Sequence, residues 1–420
     1  MRLVVRALSS SVTPDSALLL LGARARELGI APPAALSGEW FGSRAVLAPS
    51  VRLGAFDASQ AFSIPSEQQT VRDSVPGAVG GGWFGYLSYD LTDPSGRSTG
   101  LPAAAWGWAD HVLRLDADGQ WWFETLDPAR VALADELEAL LSHPAPEPQW
   151  QAATLDRPLP SDHHTAVKSC VHAIEAGELF QSNICTRFTG EFTGSPEALF
   201  AEGIRRMAPR RAAFLSGSWG SLVSLSPELF LARQGDRVRS TPIKGTLPRR
   251  DAQDDELASR LRESTKDVAE NVMITDLVRN DLGRVCAVGS VRVPELLRVR
   301  PAPGVWHLES TVEGRLDASD AELLAATFPP GSVTGAPKIR ALDLIAELEH
   351  TPRGVYTGAI GLASPVAGME LNVAIRTFEI ADGRIALGVG GGITADSEPG
   401  GEWQECLHKA APLEHLLANP

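Results

Sequence analysis

The segment Pro242-Ile243-Lys244-Gly245-Thr246 places a lysine on a turn braced by proline and glycine. Sixteen residues earlier, Glu228 stands in the segment Ser226-Pro227-Glu228-Leu229-Phe230. Burial or a nearby cation lowers the pKa of a lysine and so makes its amine available as a nucleophile. A carboxylic acid facing the same cavity could protonate a leaving hydroxyl. By itself such a pair is more often two solvated surface charges, so its meaning depends on the rest of the chain.

The composition excludes several classes of function. The chain has 420 residues and a formal net charge of −14, which argues against nucleic acid as a partner because phosphate binding needs a basic face. The four cysteines are scattered and form no CxxC pair. That pattern favours reduced thiols in a cytoplasmic protein over a disulfide framework. No signal peptide and no membrane span are predicted, because no apolar stretch is long enough.

Three parts are predicted along the chain. Residues 1–142 read as a β-rich subdomain, residues 143–161 as a Pro-rich connection, and residues 162–420 as a second domain, which carries Glu228 and Lys244. Strands come in runs and do not alternate strictly with helices, which predicts an α+β fold with antiparallel sheets. The charge-dense segment 248–266 is predicted to be a solvated excursion that precedes a helix.

Two pairs of acidic residues have the spacing of neighbours on one helix face. They are Asp267 with Glu270 and Glu402 with Glu405. Carboxylates from two helices could hold a hard cation such as Mg²⁺, with substrate oxygens and water completing its octahedron. Two solvated helix faces are the simpler interpretation of the spacing alone.

Other segments are suited to bind an anion. The run Gly388–Gly392 fits neither a dinucleotide fingerprint nor a P-loop, but its backbone could approach a small ligand closely. The turn 330–337 leads into a predicted helix start. Arg376, within a strand predicted over Leu371–Ile380, needs an anionic partner, either substrate or structural carboxylate. His307 is by itself more typical of a core histidine than of a catalyst.

In their order and spacing, these segments resemble the chorismate-utilising enzyme family. The matching segments lie at 178–183 (ELFQSN), 226–230 (SPELF), 242–246 (PIKGT), 269–281 (AENVMITDLVRND), 306–308 (WHL), 331–338 (GSVTGAPK), 375–377 (IRT) and 402–409 (beginning EWQE). Residues 81–86 match more loosely. The resemblance implies an anthranilate-synthase-like fold, in which two packed antiparallel β-sheets are flanked by helices.

The resemblance also implies roles for individual residues. Glu270 and Glu405 would be Mg²⁺ ligands, with Asp267 and Glu402 nearby. His307 would be a polar catalytic group beside the substrate. The substrate would be bound by Gly245, Thr246, Thr334, Gly335, Arg376, Gly390 and Gly392. Many members have tyrosine at the position of Leu362, so one hydroxyl contact is expected to be lost.

The residue at position 244 separates branches of the family. Members that form anthranilate have alanine where Lys244 stands, whereas members that aminate chorismate at C4 have lysine. The water-activating lysine of isochorismate- and salicylate-forming members is missing near Gln181. The resemblance therefore implies 4-amino-4-deoxychorismate, made for p-aminobenzoate and folate biosynthesis through a covalent Lys244 adduct, with Glu228 protonating the leaving hydroxyl. Anthranilate formation is the alternative, and a non-catalytic regulatory or scaffold subunit is a more remote one.

The source of nitrogen is the last expectation from the sequence. The cysteines lack the Gly-rich elbow of a glutaminase nucleophile, so ammonia must come from solution or from a separate glutamine amidotransferase subunit. The sequence leaves open whether residues 1–142 keep the regulatory tryptophan pocket that some relatives have.

Overall fold

The computed structural model of the protein describes residues 1–68, 70–71, 75–147, 149–249 and 255–420. Within these ranges the first sheet has eleven strands, all paired antiparallel. Their spatial order is β1 (Val4–Leu8), β8 (Trp121–Thr125), β7 (His111–Leu115), β3 (Ser43–Ala48), β2 (Ala34–Trp40), β10 (Arg211–Gly217), β11 (Gly220–Ser226), β20 (Thr377–Ala381), β21 (Arg384–Ile393), β9 (Gln181–Glu191) and β17 (Gly335–Ala336).

The second sheet is also antiparallel throughout its described strands. Its order is β14 (Ile243–Pro248), β16 (Val305–Arg315), β13 (Arg237–Thr241), β12 (Leu229–Gln234), β19 (Gly368–Val373), β18 (Ala359–Ser364), β5 (Gly82–Leu87), β6 (Ala104–Ala109) and β4 (Gly54–Phe56), with β15 (Arg292–Ala302) paired to β16. The predicted α+β fold with two antiparallel sheets is confirmed.

Helices cover the outer faces of both sheets. They are α1 (Pro14–Leu28), α2 (Leu133–Leu140), α3 (Pro160–Glu175), α4 (Pro196–Met207), α5 (Asp255–Glu263), α6 (Thr265–Gly283), α7 (Asp320–Thr327), α8 (Lys338–Leu348) and α9 (Pro399–Ala418). No helix in the described ranges is long and apolar enough to cross a membrane.

The two sheets pack face to face, and the alternation of side chains along β11 shows how. Leu222 lies in the cluster between the sheets, with Phe84 and Leu362 of the second sheet. Its neighbour Val223 points to the opposite face and packs with α1, α4 and α9. On the far side of the second sheet, a cluster that includes Ile274 of α6 closes the core. Helices, two sheets and helices therefore form four layers.

Strands from both predicted sequence domains join each sheet. Strand β2 pairs with β10, and β5 pairs with β18. Because both sheets continue across residue 142, the sheets do not mark a domain boundary there, and that boundary stays a prediction. Pro148 of the predicted connection lies outside the described residues.

The segment predicted as a solvated excursion is partly helical. Residues 255–263 form α5, and Leu261 in it is fully buried, because the one apolar residue of a charged helical turn can face the core. The prediction of a solvated segment is wrong for Leu261, whereas Arg260, Arg262 and Glu263 of the same helix are exposed. Residues 250–254 lie outside the described chain. Helix α6 follows, capped by Ser264, whose Oγ accepts the Asp267 N–H at 3.2 Å.

Candidate active site

Lys244 of β14 lies next to two other predicted site residues, Glu270 of α6 and Gly392 of β21. Its Nζ lies 3.7 Å from Oε2 of Glu270 on α6. A Cβ built on Gly392 of β21 would lie 2.9 Å from that Nζ and 3.0 Å from that Oε2. Only a glycine therefore leaves the lysine and the glutamate their observed positions beside the strand.

A backbone irregularity turns Lys244 toward α6. The pairing of β14 with β16 shifts register between Ile243 and Thr246. Within this shift Gly245 has φ +89°, a conformation that side chains with a Cβ rarely adopt. A Cβ on Gly245 would also lie 3.2 Å from Oδ1 of Asp267. The glycine thus allows both the turn and the close approach of α6.

The second acidic pair reaches the same place from α9. A Cβ on Gly391 would lie 3.2 Å from Oε2 of Glu402 and 3.4 Å from Oε1 of Glu405. Lys409, one turn further along, lies with its Nζ 2.7 Å from Oε1 of Glu405 and donates to the Gly390 carbonyl at 2.8 Å. Glu270 and Glu402 are 7% and 3% exposed, so the interpretation as solvated helix faces does not hold for them.

Lys266 is a member of this cluster that the sequence analysis did not identify. Its Nζ lies 3.2 Å from Oε1 of Glu402 and 3.9 Å from Oε1 of Glu270. Its place four residues before Glu270 on the same helix was the available signal.

The pKa values of Glu270 and Glu405 are shifted in opposite directions by their surroundings. Burial raises the pKa of Glu270 above its ordinary value, although Lys244 and Lys266 oppose the shift. Burial acts in the same direction on Glu405, but the ammonium of Lys409 outweighs it, so the pKa of Glu405 lies below its ordinary value.

The donor chemistry of the cluster fits a hard cation. Oε2 of Glu402 is buried and has no hydrogen-bond partner among the described residues, and the space beside Gly391 would be filled by a Cβ. Carboxylate oxygens are the ligands that Mg²⁺ prefers. In the described part of the chain, no three His, Cys, Asp or Glu side chains are already grouped at metal-binding spacing. Mg²⁺ therefore stays a prediction that the residue types support.

Glu228 is the buried acid of the site. It is 3% exposed, and its Oε1 accepts the Ile243 N–H at 3.3 Å. Burial raises its pKa to about 7, against the hydrogen bonds from Ser332 and Ile243 and the charge of Lys244. A carboxyl group with this pKa is largely protonated on the acidic side of neutrality, which suits a proton donor.

His307 is buried without the partners of a structural histidine. It is 1% exposed, and neither ring nitrogen has a hydrogen-bond partner within the described chain. It lies opposite Thr246 in the β14–β16 ladder. Burial, with the charges of Arg376 and Arg210, lowers its pKa to about 3, so the imidazole is neutral. An unsatisfied buried ring is atypical of a core and typical of a binding site.

Arg376 does not lie inside a strand, so the strand predicted over Leu371–Ile380 is wrong as one element. The chain leaves the second sheet at Val373 and enters the first at Thr377, and Arg376 has φ +51° in this crossing. Burial lowers the pKa of its guanidinium, and no ion-pair partner for it occurs among the described residues. The cation is therefore available to an anionic ligand.

Thr334 and Gly335 reach the site through β9. The Thr334 carbonyl accepts the Asn183 N–H at 2.6 Å, and Asn183 lies opposite Gly392 on the other side. The Thr334 hydroxyl lies 3.2 Å from the carbonyls of Pro330 and Gly331, so backbone groups already engage it.

Two buried cations that the sequence analysis missed hold this turn. Lys338 donates to Asp281 Oδ2 at 2.6 Å and to the carbonyls of Thr327 and Pro329, which precede the turn. Arg353 donates to the carbonyls of Val333 at 2.8 Å and of Asn183 at 2.6 Å. The turn that carries the predicted carboxylate-binding residues is thus fixed from both ends.

Comparison with known proteins agrees with this geometry. The model of the chorismate binding enzyme family matches residues 38–415. The chain belongs to the chorismate binding enzyme family. Relatives in this enzyme family include aminodeoxychorismate synthase component 1 of Salmonella typhimurium, 37% identical over 81% of this chain and 77% of that protein.

Two further comparisons bear on the fold and on the extent of the match. The protein of the same name from Klebsiella aerogenes is 45% identical, but the alignment covers 58% of this chain and 55% of that relative. The chain thus spans about half the length of that relative. The structure of anthranilate synthase component I from Streptococcus pneumoniae superposes with a TM-score of 0.74 at 27% identity, covering 99% of this chain and 92% of that one.

Gly392→Ala should impair chorismate consumption without unfolding the protein. The new Cβ would meet the flexible end of Lys244 and push it from Glu270, which costs little stability but misplaces the amine. A loss of roughly 10- to 100-fold in turnover is expected. Gly400→Ala, whose Cβ would meet nothing within 4 Å, is the matched control. Equal turnover of the two variants, at equal melting temperature, would contradict the geometry.

Proposed function

We propose that this protein aminates chorismate at C4 with ammonia, in a Mg²⁺-dependent reaction that gives 4-amino-4-deoxychorismate for p-aminobenzoate and folate biosynthesis. The observation that carries the proposal is that the segment Ile243–Lys244 both presents the lysine amine and binds the carboxyl group of Glu228. Lys244 projects from it as the nucleophile, and the N–H of Ile243 beside it binds Glu228. The names of the Salmonella and Klebsiella relatives support the same reaction.

The reaction proceeds in two substitutions. The amine of Lys244 forms a bond to C2 as the C4–O bond breaks, and Glu228 gives its proton to the hydroxyl, which departs as water. Ammonia then forms the C4–N bond while the C2–N bond breaks, which restores the double bond and regenerates the lysine. The carboxylate of Glu228 recovers the proton that the new amine loses.

The remaining groups bind and orient the substrate. Arg376, which has no ion-pair partner among the described residues, supplies a cation. The neutral ring of His307 can form a hydrogen bond with the substrate. The backbone at Gly245, Thr246, Thr334, Gly335, Gly390 and Gly392 would surround the carboxylates. Glu270 and Glu405 would hold Mg²⁺, with Asp267 and Glu402 nearby. When bound, the ion would neutralise the ring carboxylate and draw electron density from the diene.

Ammonia is proposed to come from a separate glutamine amidotransferase subunit. The relatives' names designate them as component 1, which supports a second component. The cysteines of this chain are all buried, and burial raises the pKa of Cys170, Cys185 and Cys406 to about 12. Such thiols are poor nucleophiles, so glutamine hydrolysis within this chain is disfavoured.

Anthranilate formation is the second candidate. The Streptococcus pneumoniae structure bears that name and covers nearly the whole chain. Lys244 in place of alanine argues against it, because an amine covalently bound at C2 would block amination there. A non-catalytic scaffold is disfavoured by the intact set of acid, amine and carboxylates.

Product analysis tests the proposed function directly. Purified protein with chorismate, Mg²⁺ and ammonium should release 4-amino-4-deoxychorismate, identified by mass and chromatography, and no pyruvate. Omission of ammonium is the control. Anthranilate and pyruvate as the main products would establish the alternative instead.

Lys244 should be required as an amine and not only as a charge. Lys244→Ala should lose amination on the order of 10³-fold, a deficit that raising ammonium does not restore. Lys244→Arg keeps the charge but is no amine nucleophile at neutral pH, so it should lose as much. Rapid quenching of the wild-type reaction should trap a chorismate-derived adduct on the peptide that contains Lys244. Substantial amination by the arginine variant would leave this residue an electrostatic role.

The pH dependence should report Glu228. Because its pKa is raised to about 7, the proton donor is present at lower pH and is lost as the pH rises through that value. At a fixed concentration of free ammonia, kcat/KM for chorismate should therefore fall on the alkaline side. Glu228→Gln should be much slower and lack this descending limb. A wild-type profile that stays flat across neutrality would show that Glu228 is not the acid.

A further inference from the structure

Lys266 enters the acidic cluster from the first turn of α6. Its ammonium lies 3.2 Å from Glu402 and 3.9 Å from Glu270, and so links carboxylates of two different helices. The lysine side chain is 44% exposed, whereas those of Glu402 and Glu270 are 4% and 9% exposed. A half-solvated cation thus faces two buried anions.

The two carboxylates need such a cation. Two buried like charges are costly to bring together unless a positive charge compensates them. Ser397 donates one hydrogen bond to Oε1 of Glu402 at 2.6 Å, but Oε2 has no hydrogen-bond partner in the described part of the chain. Lys409 is committed elsewhere, to Glu405 and to the Gly390 carbonyl. Lys266 is therefore the group that neutralises Glu402.

We propose that Lys266 is a resident counter-ion that competes with Mg²⁺ for Glu270 and Glu402. The inference rests on the proposed function, since it assumes that these carboxylates belong to the metal site. In the free protein Lys266 holds the two helices together across their acidic faces. When a divalent ion binds, the ammonium moves outward into solvent, which its exposure permits. Lys266 thereby weakens Mg²⁺ binding, and it stabilises the acidic cluster in the protein that has no Mg²⁺ bound.

Mg²⁺ titration of the full-length protein, without chorismate, tests the competition by calorimetry. Lys266→Met keeps the apolar stem and removes the charge, so the dissociation constant for Mg²⁺ should fall at least about fivefold. Lys266→Arg keeps the charge and should bind Mg²⁺ like the wild type. Lys168→Met, at an exposed lysine of α3, removes the same charge from the surface and should also leave the affinity unchanged.

Thermal unfolding gives a second, independent measurement. In the presence of a chelator, Lys266→Met should melt at a lower temperature than Lys168→Met, because buried Glu402 loses its counter-ion and Glu270 keeps only Lys244. Mg²⁺ should reverse the difference. Lys266→Gln, also uncharged, should behave like Lys266→Met.

The outcomes separate this inference from the proposed function. If wild type and Lys266→Met bind Mg²⁺ equally, the competition is wrong while the metal site stands. If Mg²⁺ binds to none of the variants, the metal site of the proposed function is wrong and the inference falls with it. If Mg²⁺ binding is detectable only in Lys266→Met and Lys266→Gln, Lys266 excludes the ion from the wild-type protein when chorismate is absent, which supports the competition.

Discussion

The site depends on the mutual neutralisation of charges that are buried between α6, α9 and the end of β21. Glu270 and Glu402 are buried almost completely, and each is stable there because an ammonium group lies against it. The glycines of β21 make this possible, since any side chain at Gly391 or Gly392 would occupy the space of the charged groups. Removal of one partner would leave the other charge unpaired, so these residues act as one unit.

Beside this charged unit lies a region where burial produces neutral groups. Glu228 precedes β12 and has a pKa near 7, and His307 lies on β16 and has a pKa near 3. Both are buried next to the strand that carries Lys244. The fold thus brings a buried carboxyl group, an imidazole and a cluster of acidic side chains close to the strand that carries Lys244. In the proposed reaction Glu228 would transfer the proton and the acidic cluster would hold the ion, so different side chains would perform the two tasks.

Local patterns predicted most elements, and long-range packing explains the errors. The helix predicted to follow the charge-dense segment is α6. The acidic pairs were found because helix periodicity is local. Lys266 was missed because its partners lie on two helices, and the break at Arg376 was missed because an apolar run gives no sign of where the chain changes sheets. Arg353, which holds the turn at Val333, lacked any local signal.

Each sheet contains neighbouring strands that lie far apart in the sequence, and this affects how the chain folds during translation. Strand β2 can meet β10 only after residues 211–217 have been translated, and β5 can meet β18 only after residues 359–364. Until then β2 and β5 each present an open hydrogen-bonding edge, which can pair with other chains. Because contacts between distant segments also form slowly, these edges favour aggregation until the later strands cover them.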